Sequence, residues 1–232
     1  MTKIGILQFD SVLPQYQDRF GDYPDMIVRL LQQSDPSLQF HTYDVVQGRY
    51  PQPQECSAYI TTGSKDSVYD PLPWMEKFSG FIHRLHEQQV KLVAICFGHQ
   101  LVAELFGGKT QEANQGWGVG VAQNRVVQTC TWMQPSQDSF NLVVSHKDQV
   151  VQLPKGAQLL ARSDFCPHFM YLMDTFLCLQ GHPEFSKEYG RTMMQHRQDK
   201  LGPSVYAQGI ESLNREAHDQ LLSQWISNFL RN

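Results

Sequence analysis

Hydrophobic and polar positions in the first half of the chain predict strands and helices in turn. Short apolar runs typical of strands lie at 3–9, 38–46, 58–62 and 92–95. Between them, apolar residues recur at helical spacing over 25–33 and 74–89. A further helix is predicted after residue 96, ending at Gly107-Gly108. This alternation predicts a mostly parallel sheet with helices on both faces.

From about residue 116 the pattern changes to short β-rich segments. They lie at 119–130, 142–145, 159–161, 169–173 and 176–179, and they predict antiparallel additions to the sheet. Closing helices are predicted near 186–198 and 212–230. Pro14, Gly21 and Pro24 predict a loop over 11–24. No linker divides the chain, so we expect one domain over 1–232 with a three-layer, flavodoxin-like α/β fold.

Composition and charge narrow the class of protein. Hydrophobic residues make up 41% of the 232 positions and charged residues 18%, as in ordinary globular proteins. The net charge of -4 predicts no surface for nucleic acid or an anionic membrane. No apolar run reaches the roughly 18 residues of a membrane span. The chain enters a strand-like segment at Lys3, which predicts no secretory signal.

The five cysteines favour a reducing compartment. They lie at positions 56, 96, 130, 166 and 178, without the short paired spacings of a disulfide framework or a zinc site. We therefore expect a cytoplasmic protein that uses neither a metal nor a cofactor.

Cys96 lies where the apolar run at 92–95 gives way to a helix, between the small residues Ala94 and Gly98. A cysteine at such a turn is exposed at the carboxyl edge of the sheet, and the helix N-terminus lowers its pKa. The next backbone N–H can stabilise an oxyanion. Because cysteine is also among the most often buried residues, the spacing leaves a nucleophile and a structural thiol equally open.

A candidate base for this thiol lies in the segment Gly181-His182-Pro183-Glu184. Pro183 favours extended backbone at His182, where residues i and i+2 face the same side. Glu184 can then accept a hydrogen bond from one imidazole nitrogen while the other faces a nucleophile. Alone, a surface turn is the simpler interpretation; together with Cys96, the segment predicts a catalytic triad.

The segments 95–100 and 180–184 together resemble the class I glutamine amidotransferase family. Members of that family release ammonia from glutamine through a γ-glutamyl thioester, using a Cys–His–Glu triad. The resemblance implies that Cys96 is the nucleophile, that His182 is the general base and then the acid, and that Glu184 orients His182. No cofactor or metal is implied.

The same resemblance implies where the substrate is held. Backbone N–H groups near Gly63 and at Phe97 would form the oxyanion hole. The residues implied to bind substrate are Gln100, Ser145, Lys147 and Asp148. Two positions depart from the family pattern: Ala94 replaces a frequent glycine, and Thr62-Gly63-Ser64 replaces a frequent Gly-Gly-Pro. Neither change removes a chemical group that the reaction needs.

A narrower resemblance, at 19–23, 62–64, 145–150 and 180–185 followed by a long helical tail, is to stand-alone amidotransferase-like proteins, including γ-glutamyl peptidases. Those enzymes cut the γ-glutamyl bond of glutathione-type substrates. Three functions stay open: glutamine amide hydrolysis, γ-glutamyl hydrolysis, and an inactive regulatory module on the same fold. No P-loop or synthetase region is visible, so an acceptor of ammonia would be a separate synthase subunit. A protease of the related cysteine-turn type is disfavoured because Phe97, not histidine, follows Cys96.

Overall fold

A nine-stranded sheet forms the centre of the computed structural model, which describes residues 2–231. Its strand order is β2-β1-β3-β4-β11-β10-β9-β6-β7, and β5 and β8 form a separate two-stranded sheet. The strands are β1 (Lys3–Gln8), β2 (Gln39–Asp44), β3 (Ala58–Thr61), β4 (Lys91–Ile95), β5 (Lys109–Glu112), β6 (Gly118–Val126), β7 (Ser139–His146), β8 (Asp148–Gln152), β9 (Gln158–Arg162), β10 (Met170–Met173) and β11 (Phe176–Leu179). The first five strands in this order are parallel, and the remaining neighbours pair antiparallel.

Helices cover both faces of this sheet. They are α1 (Pro14–Phe20), α2 (Tyr23–Ser34), α3 (Pro73–Glu87), α4 (Phe97–Leu105), α5 (Lys187–His196), α6 (Gln198–Ser212) and α7 (Asp219–Arg231). Apolar residues of α2 and α7 pack in one core cluster, and those of α3 and α4 pack in a second. The predicted α/β fold with antiparallel additions is therefore confirmed. The segment 176–179, predicted as one of those additions, instead pairs parallel with β4 and antiparallel only with β10. None of the helices within residues 2–231 is long and apolar enough to cross a membrane.

The predicted loop over 11–24 was wrong, because α1 occupies half of it and α2 begins at Tyr23. Pro14 lies in the first turn of α1, where its missing N–H costs no hydrogen bond. Gly21, with φ of 77°, forms the C-cap of the same helix. Pro24 lies in the first turn of α2. All three residues therefore mark helix ends rather than irregular chain.

Helix α6 was not predicted between the two closing helices. Gly202 has φ of 72° and Pro203 follows it, so the helix is kinked and its apolar residues do not keep one helical phase. Strands β5 and β8 were also missed. Strand β5 consists of four polar or charged residues, so it lacks the apolar pattern on which the prediction depended.

The register of the parallel strands brings three loops together at one edge. Ile60 pairs with Val93, and Ile95 pairs with Leu179. Because β3, β4 and β11 are adjacent and parallel, the segments that follow them begin at the same edge of the sheet. Gly63, Cys96 and His182 lie in those three segments, which places the predicted site residues together.

Gly98 lets the first turn of α4 lie close to β3. A Cβ atom on Gly98 would overlap Thr61 Oγ1 and lie 3.0 Å from Thr61 Cβ. Thr61 cannot turn away freely, because its Oγ1 accepts a hydrogen bond from the Ile95 N–H at 2.9 Å. The glycine therefore holds the turn between β4 and α4 against the sheet.

We expect Gly98→Ala to lower the free energy of unfolding by about 1–3 kcal/mol, the usual cost of overpacking a core. Urea denaturation measures this change. Gly80 in α3 offers a matched control, because the nearest heavy atom to its Cβ position is 3.6 Å away. Gly80→Ala should raise the free energy of unfolding by roughly 0.5–1 kcal/mol, through helix propensity. Equal stability of Gly98→Ala and the wild type would contradict the packing argument.

Candidate active site

Cys96 occupies a strained turn between β4 and α4. Its backbone has φ of 50° and ψ of -98°, a conformation that a residue with a side chain rarely adopts. Its N–H donates to the carbonyl of Leu179 at 2.9 Å, which ties the turn to the end of β11. Cys96 is only 6% exposed, yet it lines a cleft. Strain of this kind is common at functional sites.

His182 and Glu184 follow β11 and bond to each other. The His182 Nδ1 and Glu184 Oε1 atoms are 2.7 Å apart, and both side chains are buried. The His182 N–H donates to the carbonyl of Val143 at 2.8 Å. The Phe185 ring stacks on the imidazole with ring centroids 4.0 Å apart and an interplanar angle of 4°. These contacts fix the orientation of the imidazole.

Opposing effects set the charge of His182. Burial alone would lower its pKa, but the neighbouring Glu184 carboxylate and the Cys96 side chain outweigh burial and raise the pKa to about 10. This shift favours the protonated imidazole at neutral pH, next to the Cys96 sulfur. A second group also contacts this sulfur: Gln180 Nε2 donates to Cys96 Sγ at 3.5 Å. Gln180 lies in the segment 180–184, which carries the family resemblance, but the sequence predicted no role for this residue.

Gly63 lies against both Cys96 and His182. A Cβ atom at Gly63 would be 2.9 Å from His182 Cε1 and 3.6 Å from Cys96 Cβ. The backbone here is held by Thr62, whose Oγ1 accepts from the Phe9 N–H at 2.9 Å and donates to the Gly63 carbonyl at 3.0 Å. Phe97 is the first residue of α4, so its N–H has no acceptor within the helix. The oxyanion-hole roles of Gly63 and Phe97 remain predictions.

A cleft of about 180 Å³ opens at Cys96. Since a protein cavity of about 150 Å³ holds a benzene molecule, this cleft can take a substrate part of amino-acid size. The predicted site residues that line it are Gly63, Cys96, Gln100, Ser145, Lys147, Asp148 and His182. Glu184 is not part of this lining, and its carboxylate contacts Nδ1 of the His182 imidazole.

Two of the predicted substrate-binding residues bond to other parts of the protein. Gln100 Nε2 donates to the Asp148 carbonyl at 2.8 Å and to Gln180 Oε1 at 3.0 Å. The Asp148 carboxylate accepts from Tyr69 Oη at 2.7 Å and from Ser67 Oγ. The two bonds to the Asp148 carboxylate join the loop after β3 to strand β8 across one end of the cleft.

The other two predicted substrate-binding residues also have partners. Lys147 Nζ pairs with Glu112 Oε2 at 2.7 Å. Ser145 Oγ accepts from Arg197 Nη1 at 3.0 Å. Their proposed contacts with substrate stay predictions, because the side chains that reach the cleft already bond within the protein.

Several residues of the cleft were given no role in the site by the sequence. Arg197 lies 5.5 Å above the Trp117 ring, and Tyr23 stacks on Phe185 with centroids 5.7 Å apart. These residues come from α2, from the loop before β6 and from the α5–α6 junction. The amino-acid sequence of one protein does not show that segments so far apart along the chain meet in the fold.

His146 also lines the cleft but carries no charge at neutral pH. Burial lowers its pKa to about 4, partly offset by the Asp148 carbonyl 3.0 Å from Nδ1. Of these two cleft histidines, His182 is therefore the one that can supply a proton. Within residues 2–231, no group of three or more His, Cys, Asp or Glu side chains is placed to hold a metal ion.

The arrangement is that of an α/β protein with a cysteine at a strained strand-to-helix turn and a histidine–carboxylate pair in the segment that follows the neighbouring strand. Residues 20–199 match the family described as glutamine amidotransferase class-I, so the chain belongs to this family.

Relatives and solved structures agree with this assignment. The chain is 30% identical over 178 residues to gamma-glutamyl peptidase 4 of Arabidopsis thaliana, covering 73% of this chain and 70% of that protein. It is 32% identical over 212 residues to a glutamine amidotransferase-like protein of Schizosaccharomyces pombe, covering 83% of each. A crystal structure of a glutamine amidotransferase from Thermotoga maritima matches the fold with a TM-score of 0.78 at 17% identity, covering 99% of both chains.

Proposed function

We propose that this protein hydrolyses the γ-glutamyl amide bond of a small substrate through a thioester on Cys96. The observation that carries the proposal is the position of Cys96: a strained turn beside His182, whose imidazole is bonded to Glu184 at 2.7 Å. Strain at a buried thiol has no use in packing, whereas it presents a nucleophile to the cleft.

The groups of the cleft supply each step of this reaction. The Cys96 thiolate attacks the γ-carbonyl carbon, and the N–H groups near Gly63 and at Phe97 bind the oxyanion. The His182 imidazolium donates its proton to the leaving nitrogen as the C–N bond breaks, which leaves the γ-glutamyl thioester. His182, now neutral, takes a proton from water, and the resulting attack releases glutamate and regenerates the thiolate.

Two leaving groups fit this chemistry. With glutamine the leaving group is ammonia, and an enzyme that uses it would be a separate synthase subunit. With a γ-glutamyl peptide the leaving group is the amine of the next residue, and the protein would act alone. The similarity to gamma-glutamyl peptidase 4 favours testing the second substrate class beside the first.

Release of the free amino acid from matched compounds tests the proposal: glutamate from the glutamyl compounds and aspartate from asparagine. We expect hydrolysis of glutamine or γ-Glu-Gly, and none of asparagine or α-Glu-Gly, because a shorter or α-linked carbonyl misses Cys96. The ratio of kcat/KM for γ-Glu-Gly and glutamine then identifies the leaving group. Hydrolysis of the α- and γ-linked peptides at equal rates would contradict the proposal. Lack of turnover with every γ-glutamyl compound would support an inactive module on this fold.

A further inference from the structure

Two lysines and one arginine line the cleft, and their side chains differ in their partners. Lys65 Nζ lies 3.2 Å from Asp10 Oδ1, and Lys147 Nζ lies 2.7 Å from Glu112 Oε2. Arg197 has no carboxylate within ion-pair distance among residues 2–231. An unpaired guanidinium in a substrate cleft has donors available for an anionic group of the ligand.

The guanidinium of Arg197 is nevertheless held in place. It donates from Nη1 to Ser145 Oγ at 3.0 Å and lies over the Trp117 ring. A guanidinium has five N–H donors in a planar fork, so one bond to a hydroxyl leaves an edge for a carboxylate. Because its position is fixed before a ligand arrives, Arg197 loses little entropy on binding one.

Arg197 lies on the side of the cleft to which His182 belongs. The His182 N–H bonds to Val143 of β7, and Ser145, the partner of Arg197, is two residues further along the same face of that strand. Burial raises the pKa of Tyr23, and the positive charge of Arg197 opposes that rise. Tyr23 stacks on Phe185, which stacks on His182. Arg197 therefore neighbours the aromatic stack behind the imidazole.

His182 donates its proton to the leaving nitrogen in the proposed reaction, so the leaving group lies on this side of the scissile bond. A carboxylate one or two residues beyond that nitrogen is about 3.5–7 Å away from it. We propose that Arg197 binds a carboxylate of the leaving group, and that the protein prefers γ-glutamyl peptides with a free C-terminus to glutamine. This inference rests on the proposed γ-glutamyl hydrolysis.

A pair of substrates and a set of variants test this role. The substrates are γ-Glu-Gly and γ-Glu-glycinamide, which differ only in the carboxylate. The variants are Arg197→Met, Arg197→Lys and, as a control, Arg191→Met, which removes an exposed cation from α5. Thermal unfolding of each variant confirms that it is folded, and glutamate release gives kcat and KM.

We expect the wild type and Arg191→Met to prefer γ-Glu-Gly over its amide by about tenfold in kcat/KM, mainly through KM, as a charge-assisted bond provides. Arg197→Met should lose this preference, and its kcat/KM should fall by a clearly larger factor for γ-Glu-Gly than for glutamine, which has no carboxylate in its leaving group. Arg197→Lys should keep part of the preference, because it keeps the charge but not the fork.

The outcomes separate this inference from the proposed function. If Arg197→Met lowers kcat/KM for both compounds and for glutamine by one factor, Arg197 acts on the γ-glutamyl part or on the fold, and the inference is wrong. If the wild type does not discriminate between acid and amide, the inference is also wrong, while γ-glutamyl hydrolysis stands. Absence of turnover in the wild type would overturn the proposed function, and this inference with it.

Discussion

Replacing Cys96 with alanine is expected to lower the turnover of every γ-glutamyl substrate by about 10⁴–10⁶-fold, as the loss of a nucleophile does in other triad enzymes. The thiol is the one group in the proposed reaction that forms a covalent bond to the substrate, so no neighbour can replace it. Stability should change little, because alanine at φ of 50° is strained as cysteine is. Glutamate release measures the loss.

Covalent labelling gives the same prediction a second readout. A glutamine-analogue electrophile should add one adduct to the wild type, detected by intact mass, and none to Cys96→Ala. Cys130 is a matched control: it is partly exposed, whereas the other four cysteines are buried. Cys130→Ala should keep both the adduct and the activity. Full activity in Cys96→Ala, or an adduct that disappears with Cys130, would overturn the assignment of Cys96 as nucleophile.

Replacing Glu184 with glutamine is expected to lower kcat at neutral pH by about 10³–10⁴-fold, although the side chain keeps its shape. The reason is that an amide neither carries the charge nor fixes the tautomer of His182. The negative charge of Glu184 counteracts the effect of burial on the pKa of His182. That pKa should therefore fall in the variant, which an NMR titration of the imidazole measures.

The sign of the pH dependence follows from the direction of this shift. The pKa of His182 in the folded protein, about 10, is above the value of about 6.5 in an unfolded chain. Stability from the protonated imidazole is therefore complete below about pH 6.5 and is lost as pH rises toward 10. The difference in unfolding free energy between wild type and Glu184→Gln should shrink over that interval.

A neighbouring carboxylate provides the control for this variant. Glu188 is 59% exposed and pairs with Arg19 on the surface. Glu188→Gln removes the same charge four residues away, and it should change neither kcat nor the titration of His182 by a measurable amount. A titration of His182 that is the same in Glu184→Gln and the wild type would show that Glu184 does not set its charge.

The sequence predicted the strands and helices whose hydrophobic pattern matches the burial of their residues in the structure. Most of the parallel strands are short apolar runs, so their positions along the chain and the sheet edge that carries Cys96 could be inferred before the structure, whereas the order of the strands in the sheet was not predicted. Helix α1 was missed because Pro14 and Gly21 were interpreted as loop residues, although they bound a helix of only seven residues. Helix α6 was missed because the kink at Gly202 interrupts its pattern.

The candidate site was predictable where its residues lie in short local motifs. Cys96 follows a strand directly. His182 and Glu184 share one extended segment, so the spacing of these two residues suggested that their side chains contact each other. Arg197 lies in no such motif, and Tyr23 lies in the segment 19–23 without a predicted role, because only the tertiary fold brings α2 and the α5–α6 junction to the cleft. Backbone donors leave no trace in side-chain identity, which is why the oxyanion hole remains a prediction.

The backbone at Cys96 also has a consequence for the history of such proteins. Glycine adopts φ of 50° without strain, so Cys96→Gly would relieve about 1 kcal/mol or more of conformational cost. The loss of the buried thiol from the core and the greater freedom of glycine in the unfolded chain oppose that exchange. Under the proposed function, the strained cysteine is kept for its reaction with the substrate. A relative with glycine at position 96 would keep the turn and lose the proposed chemistry.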